Sequence, residues 1–309
     1  MMLANFFGKS KPVNFIIIGA LFLIYFLIAQ FTVVEGVEKE VLTLPKLLMF
    51  LLFALFLFLF NFIIIKNKLT RDNLYAFLLL IIFLGTISNT LVNANNLLVE
   101  VLILFALRKI YSIRKPNNIL AKLFDAGLWL GVAFILEPFS LVFFLMIYAA
   151  VFLFYEISVR TLLIPILGML SPIFLFFTYS FFVDRMTYFN SLFEFTTSYD
   201  FSSYNTAFYK LSLAFISLIL LISILARTPK IFSVNNKFKR SWALLLFHLI
   251  VATGFVLLLK KRDGAELMAI FIPTTIILAN WLQFVQRKWM IDFVLLLFLG
   301  YSISVHFIV

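Results

Sequence analysis

Residues 44–65 read LPKLLMFLLFALFLFLFNFIII, an almost wholly apolar run whose one charged side chain is Lys46. A helix rises 1.5 Å per residue, so a run of this length crosses the roughly 30 Å hydrocarbon core of a bilayer. Similar blocks recur along the chain, and none of them alternates as the strands of a membrane β-barrel do. The sequence therefore predicts an all-α, polytopic integral membrane protein that forms a single transmembrane helical domain over residues 1–309.

The composition excludes most soluble chemistry. The chain is 64% hydrophobic and 13% charged, whereas a soluble domain is about half apolar and about a quarter charged. It has no cysteine, which excludes disulfides, thiolate metal sites and a cysteine nucleophile. Two histidines argue against a multi-histidine metal centre, and the nucleotide-binding, metalloprotease and hydrolase motifs are absent from the sequence. We expect neither a metal nor a cofactor.

The apolar blocks predict about eleven membrane-spanning helices joined by short connections, except at 184–206 and 227–240. The predicted spans are 13–34, 44–65, 74–92, 96–111, 119–136, 138–155, 161–183, 207–226, 241–259, 265–286 and 289–308.

The Lys and Arg residues predict the orientation of these spans, because short cytoplasmic loops are enriched in them. With the N-terminus in the cytoplasm, 18 of the 25 basic residues and four acids lie inside, and the other ten acids lie outside. This arrangement places the C-terminus outside and indicates a multi-pass protein of a bacterial inner membrane. It also explains the net charge of +11 without a nucleic-acid partner. The span 96–111 is needed to keep this asymmetry, and 119–155 either crosses twice or contains a re-entrant hairpin at Pro138.

Acidic residues on the predicted outer side are candidates for chemistry. Glu35 and Glu38 lie in the first outer loop, where partial desolvation can raise the pKa of a carboxyl and make it a general base; the alternative is an ordinary solvated loop. Glu100 lies about one turn inside the fourth span, either lining a cavity or making an interhelical hydrogen bond. Glu137 and Glu266 lie at the same side and are further candidates for the cavity wall, with interface solvation the alternative for Glu137.

Three consecutive basic residues, Lys260, Lys261 and Arg262, interrupt the charge pattern on the outer side. Such a cluster suits a lipid phosphate, or else general contact with anionic headgroups. The loop 184–206 is rich in aromatic residues that can stack on sugars or form an interfacial belt. His248, in the ninth span, is either an interhelical hydrogen-bond partner or a proton relay.

The segment KKRDGAELMAIFIPTTIILANW, residues 260–281, resembles the late segment of membrane-embedded glycosyltransferases of the C type. In this resemblance Lys261 or Arg262 matches the basic residue at the outer membrane boundary, and Pro273 matches the proline of the following apolar run. The stretch 117–154 also resembles the middle of such proteins. The chain is similar as well to uncharacterised small polytopic bacterial inner-membrane proteins.

The glycosyltransferase resemblance implies a polyprenyl-phosphate-linked sugar at the outer face, with an acid of the first outer loop, Glu35 or Glu38, as catalytic base. We therefore expect a protein that handles a lipid-linked sugar, with membrane lipids as partners. One alternative is a non-catalytic subunit that packs against other integral membrane subunits of a larger inner-membrane complex. A further alternative is a transporter of a lipid or an anion.

Overall fold

The computed structural model describes residues 2–32, 44–233 and 236–308, which form helices and connections without a β-strand. The helices are α1 (Met2–Phe7), α2 (Pro12–Thr32), α3 (Leu44–Asn67), α4 (Tyr75–Thr86), α5 (Ala94–Ser112), α6 (Ile119–Leu136), α7 (Phe144–Phe154), α8 (Val159–Phe182), α9 (Met186–Ser191), α10 (Ala207–Phe232), α11 (Asn236–Leu258), α12 (Met268–Leu282) and α13 (Lys288–Ile308). Short 3₁₀ turns lie at Ser88–Leu91, Pro138–Phe143, Ser202–Tyr204 and Ala265–Leu267.

In the described part of the chain, eight helices are long and apolar enough to cross a membrane, so the protein is all-helical with the segments of a multi-pass membrane protein. The sequence predicted about eleven spans. The difference lies in α4, which has 12 residues, in the 138–154 segment, which a 3₁₀ turn divides, and in α5. The 19 residues of α5 span about 28 Å, but they include Glu100 and two basic residues.

Hydrogen bonds between the connections define the two ends of the bundle. At the first, which we call the Asp263 end, Asn93 Nδ2 donates to Asp263 Oδ2 over 3.0 Å. At the second, which we call the Arg227 end, Lys288 Nζ donates to Asn5 Oδ1 over 2.7 Å. The connection after α3 also belongs to the Arg227 end, because the Arg71 amide donates to Gln283 Oε1 after α12. The orientation of the two ends in a membrane stays a prediction.

Glycines bring α6 and α8 into close contact. A Cβ added to Gly127 would lie 2.0 Å from the Pro165 carbonyl oxygen, and one on Gly131 would lie 2.4 Å from that of Met169. Gly168 of α8 is equally close to the backbone of α6. Because small residues let helix backbones approach in a membrane, these glycines are required by the helix contact.

The same contacts give the direction of the segment between α6 and α8. Gly127 lies against Pro165, and Gly131, one turn later in α6, lies against Met169, one turn later in α8. The two helices therefore run parallel. Residues 137–158 therefore return to the level at which α6 begins. This geometry favours a second traverse over a shallow re-entrant hairpin at Pro138.

His248 of α11 is fully buried, and its Nδ1 lies 3.1 Å from the Tyr111 hydroxyl of α5. This contact is the interhelical hydrogen bond that the sequence offered as one of two interpretations.

Candidate functional site

The two proposed catalytic acids, Glu35 and Glu38, lie outside the residues that the structure describes. Of the proposed phosphate ligands, Lys260 and Lys261 are exposed at the Asp263 end. Their role as ligands of a lipid phosphate stays a prediction.

Arg262 has a different role from the one expected. Its side chain is buried, and Nη1 donates to the carbonyl oxygens of Ser198 at 2.6 Å and Asp200 at 3.0 Å. Nη2 donates to the Leu257 carbonyl oxygen at 2.6 Å, and Cζ lies 4.2 Å from the centre of the Phe201 ring. Because carbonyl groups accept from Nη1 and Nη2, Arg262 fastens the loop 184–206 to the end of α11, while its buried Nε has no hydrogen-bond partner in the described residues.

Glu266 is likewise part of the internal structure at this end. Its carboxylate accepts hydrogen bonds from the Tyr204 hydroxyl, from the Asp263 amide at 3.3 Å and from the Gly264 amide at 3.0 Å. Gly264 has a φ of +95°, and a Cβ there would lie 2.4 Å from the Tyr209 hydroxyl oxygen. The buried carboxylate is thus satisfied and holds the tight turn before α12.

A polar pocket of about 380 Å³ opens beside this turn, lined by Asn89, Asn93, Asn95 and Asp263 among others. Asn89 Nδ2 and the Tyr209 hydroxyl both donate to the Asp263 carbonyl oxygen. The amide groups of the wall can donate and accept hydrogen bonds, which suits a hydroxyl-rich ligand.

Glu100 and Glu137, the other acids predicted to line a cavity, are not part of this polar pocket. They are also absent from the lining of a second pocket, at the Arg227 end. Glu137 ends α6, where its Oε1 accepts from the Phe139 amide at 3.3 Å. Burial raises the pKa of its carboxyl, although the Phe139 amide and the nearby Lys260 ammonium act in the opposite direction. Glu100 is buried in α5, and its Oε2 has no hydrogen-bond partner within the described residues.

A second site lies at the Arg227 end, in a pocket of about 1130 Å³ that the sequence analysis did not predict. It forms where the ends of α3, α10 and α12 meet the starts of α2 and α11. Its apolar wall consists of Phe15, Ile64, Ile65, Ile231, Phe238 and Phe284.

Two guanidinium groups face each other across the Phe284 ring in this pocket. Arg227 Cζ lies 3.3 Å and Arg71 Cζ lies 4.1 Å from the ring centre. Two guanidinium groups this close to the ring centre would overlap each other if they lay on the same face of Phe284. They therefore lie on opposite faces of the ring. Arg227 is 7% exposed, and within the described residues its guanidinium makes no hydrogen bond and no ion pair. A buried cation without such partners is costly, which marks this residue as a functional candidate.

An amide ladder holds Arg71 in position. The buried Asn280 donates from Nδ2 to the Leu69 carbonyl oxygen at 2.8 Å. Gln283 Nε2 donates to Asn280 Oδ1 at 2.8 Å, and Gln283 Oε1 accepts from the Arg71 amide at 2.8 Å and from Asn73 Nδ2 at 2.9 Å. The connection after α3 is thereby fixed to the end of α12, while the Arg71 guanidinium, stacked on Phe284, has no hydrogen bond or ion pair within the described residues.

The charge of the pocket is strongly unbalanced. Its lining includes Lys68, Arg71, Arg227 and Lys230, and the carboxylate among them is Asp72. None of these charged groups is ion-paired in the ranges that the structure describes. Helix C-termini favour nearby cations, which accounts for the exposed Lys68 and Lys230. It does not account for an arginine buried beside a second arginine.

Sequence reasoning counted these four cations only as a topology signal. Arg71 and Arg227 are far apart in the chain, and Phe284 lies in a stretch that otherwise indicates a helix end. The available signal was the arginine near the end of the α10 segment, since lysine or arginine inside an apolar run indicates function.

A family model described as a family of unknown function, DUF6427, matches residues 2–308. No curated protein matches the chain. No solved structure matches it either.

Proposed function

Since the chain belongs to the DUF6427 family of unknown function, we propose from its own geometry that it is a multi-pass membrane protein that binds a phosphate-bearing lipid at the Arg227 end. The observation that carries this proposal is Arg227, whose side chain is buried, whose Nε has no hydrogen-bond partner in the described residues, and which lines a pocket of about 1130 Å³.

A membrane location of the site follows from the proposed topology. We propose that eleven segments cross a bacterial inner membrane, namely the eight long apolar helices together with α4, α5 and the 138–154 segment, with the N-terminus in the cytoplasm and the C-terminus outside. The excess of Lys and Arg at the Arg227 end then makes this end cytoplasmic. The pocket lies at the ends of the helices, at the depth of lipid headgroups in the inner leaflet.

A phosphate fits the polar part of the pocket. Guanidinium groups donate paired N–H groups to phosphate oxygens, and these bonds are among the stronger hydrogen bonds in proteins. Stacking on Phe284 leaves the N–H edges of Arg71 and Arg227 available, because the ring occupies only one face of each group. The exposed Lys68 and Lys230 add positive charge at the rim.

An acyl or isoprenoid chain fits the apolar part. Phe15 and Ile65 belong to the same wall as the arginines, and Ile65 is exposed on α3. This wall is continuous with the lipid-facing side of α3, so a bilayer lipid can keep its chain on the wall while its headgroup meets the arginines.

Native mass spectrometry of the full-length protein, with phosphatidic acid added to the detergent, tests this function. We expect one tightly retained lipid on the wild type and affinity weaker by about 10–100-fold in Arg227→Gln, since a charge-assisted hydrogen bond contributes about 1.5–3 kcal/mol. Lys115→Gln is the matched control, because Lys115 is an exposed cation of the same end outside the pocket. Equal retention by wild type and Arg227→Gln would exclude the proposal.

A second candidate is the handling of a lipid-linked sugar at the Asp263 end, which the amide-lined pocket there favours. In this function the Asn95 side chain contacts the sugar. Asn95→Ala should then lower glycan transfer in cells while the protein level stays constant. Unchanged transfer in this variant, and in Glu35→Ala and Glu38→Ala, would exclude it.

A further inference from the structure

We infer that the lipid of the Arg227 end carries a terminal phosphate, as a phosphomonoester or a diphosphate, rather than the phosphodiester of most membrane lipids. This inference rests on the proposed function and assigns the chemical class of its ligand.

The first argument is charge. The lining has four cationic side chains and one carboxylate, so its formal charge is +3. A phosphodiester carries a single negative charge. A phosphomonoester carries about −1.5 to −2 at neutral pH, and a diphosphate carries more. The more highly charged headgroups compensate more of the positive charge, of which the buried Arg227 guanidinium is the least solvated part.

The second argument is the separation of the two guanidinium groups. They lie on opposite faces of Phe284, so their Cζ atoms are at most about 7.4 Å apart, the sum of the two distances to the ring centre. A ligand that meets both must reach past the ring edge with separate oxygens. The two unesterified oxygens of a phosphodiester offer one acceptor to each guanidinium, whereas the three of a terminal phosphate, or the larger number of a diphosphate, also allow a paired contact with at least one of them.

The third argument is steric access. Lys68, Arg71 and Lys230 are exposed side chains of the lining, beside the buried Arg227. A phosphodiester carries a second substituent on its phosphorus, which competes with these cations for the space around the phosphate. A terminal phosphate has no such substituent, and it can meet Arg227 and Arg71 together.

Competition binding tests the assignment. The full-length protein in detergent is loaded with a fluorescent phosphatidic acid and titrated with dioctanoyl phosphatidic acid, farnesyl diphosphate, dioctanoyl phosphatidylglycerol, inorganic phosphate or inorganic pyrophosphate. We expect the first two to compete at least about tenfold more strongly than phosphatidylglycerol, since one extra charge near a partly buried cation contributes on this order after screening. The inorganic anions should compete weakly, because they lack the chain that covers the apolar wall.

Two variants and a control complete the design. Arg227→Gln and Arg71→Gln should each reduce the preference for the terminal phosphate, and Lys115→Gln should preserve it. Arg71→Gln changes an exposed side chain and keeps the hydrogen bond from the backbone amide of residue 71 to Gln283. We therefore expect this variant to fold even if Arg227→Gln is poorly expressed.

The outcomes separate this inference from the proposed function. Equal competition by phosphatidylglycerol and phosphatidic acid, both weakened in Arg227→Gln, would overturn the terminal-phosphate assignment and leave lipid binding intact. Binding insensitive to both arginine variants would overturn the two together. Inorganic pyrophosphate that competes as well as farnesyl diphosphate would show a site for a soluble anion and would also overturn both.

Discussion

Replacing Arg227 by methionine should stabilise the ligand-free protein, although most substitutions of buried residues destabilise. Arg227 is 7% exposed and lacks a hydrogen-bonded or ion-paired partner in the described residues. Methionine keeps the unbranched aliphatic stem of arginine, but it ends near the position of Nε and so removes both the charge and the stacking of the guanidinium on Phe284. The substitution therefore removes the cost of the charge while keeping the packing of the stem.

The magnitude follows from three contributions. With at most about 7.4 Å between the guanidinium centres, Coulomb's law gives a repulsion of about 2 kcal/mol at an effective dielectric constant of 20. Arg71 is exposed, so screening by solvent reduces this to about 1 kcal/mol. Relief of the desolvation of Arg227 adds to the gain, and loss of its contact with Phe284 removes about 1 kcal/mol. We expect a net stabilisation of about 1–2 kcal/mol.

Unfolding by SDS in mixed micelles measures this change, with Lys115→Met as the control for loss of a positive charge at the same end. Saturating phosphatidic acid should reverse the order, because the lipid stabilises the wild type and not Arg227→Met. A ligand-free Arg227→Met protein less stable than the wild type would refute the reasoning, since it would show that the guanidinium is already compensated.

Three further substitutions test the fold around the two ends. Gly127→Ala should destabilise by about 1–3 kcal/mol, because its Cβ would overlap the Pro165 carbonyl oxygen; Gly19→Ala, with open space around its Cβ, should be neutral or stabilising in the same SDS titration. Asn280→Leu should lower the free energy of unfolding by about 2 kcal/mol, because it breaks the hydrogen bonds to Leu69 and Gln283. It should also weaken lipid binding, and unchanged binding would contradict the role of Asn280 in positioning Arg71. Arg262→Gln should accelerate proteolysis in 194–201 without altering lipid binding at the Arg227 end, because this arginine fastens the loop; unchanged cleavage would contradict that role.

The fold was largely predictable because bilayer thickness sets the length of an apolar helix and the charge pattern sets the side of each loop. The connections after α3 and α12 share one end of the bundle, as the charge pattern predicted. The 3₁₀ turn after Glu137 lies where Pro138 indicated a break, since proline disfavours a helical residue before it. The helix lengths agree less well, because α4 has only 12 residues and its end depends on packing against neighbouring helices, which the hydrophobic pattern does not encode.

The candidate site was much less predictable, because local sequence does not say whether a charge is already used. Arg262 looked free in the triplet 260–262, but the structure bonds it to carbonyl groups of a distant loop. Arg227 looked like a topology signal, but burial beside Phe284 and Arg71 makes it the least compensated cation of the pocket. Only tertiary contacts separate these two arginines.

A cryo-electron microscopy map of the full-length protein in nanodiscs made from native lipid is the most direct test of the account. We expect density for a headgroup at the edge of the Phe284 ring, within hydrogen-bond distance of Arg227 and Arg71, with its chain along Phe15 and Ile65. A carboxylate or a carbonyl group of the protein in that position would contradict the account, because Arg227 would then have its partner without a lipid.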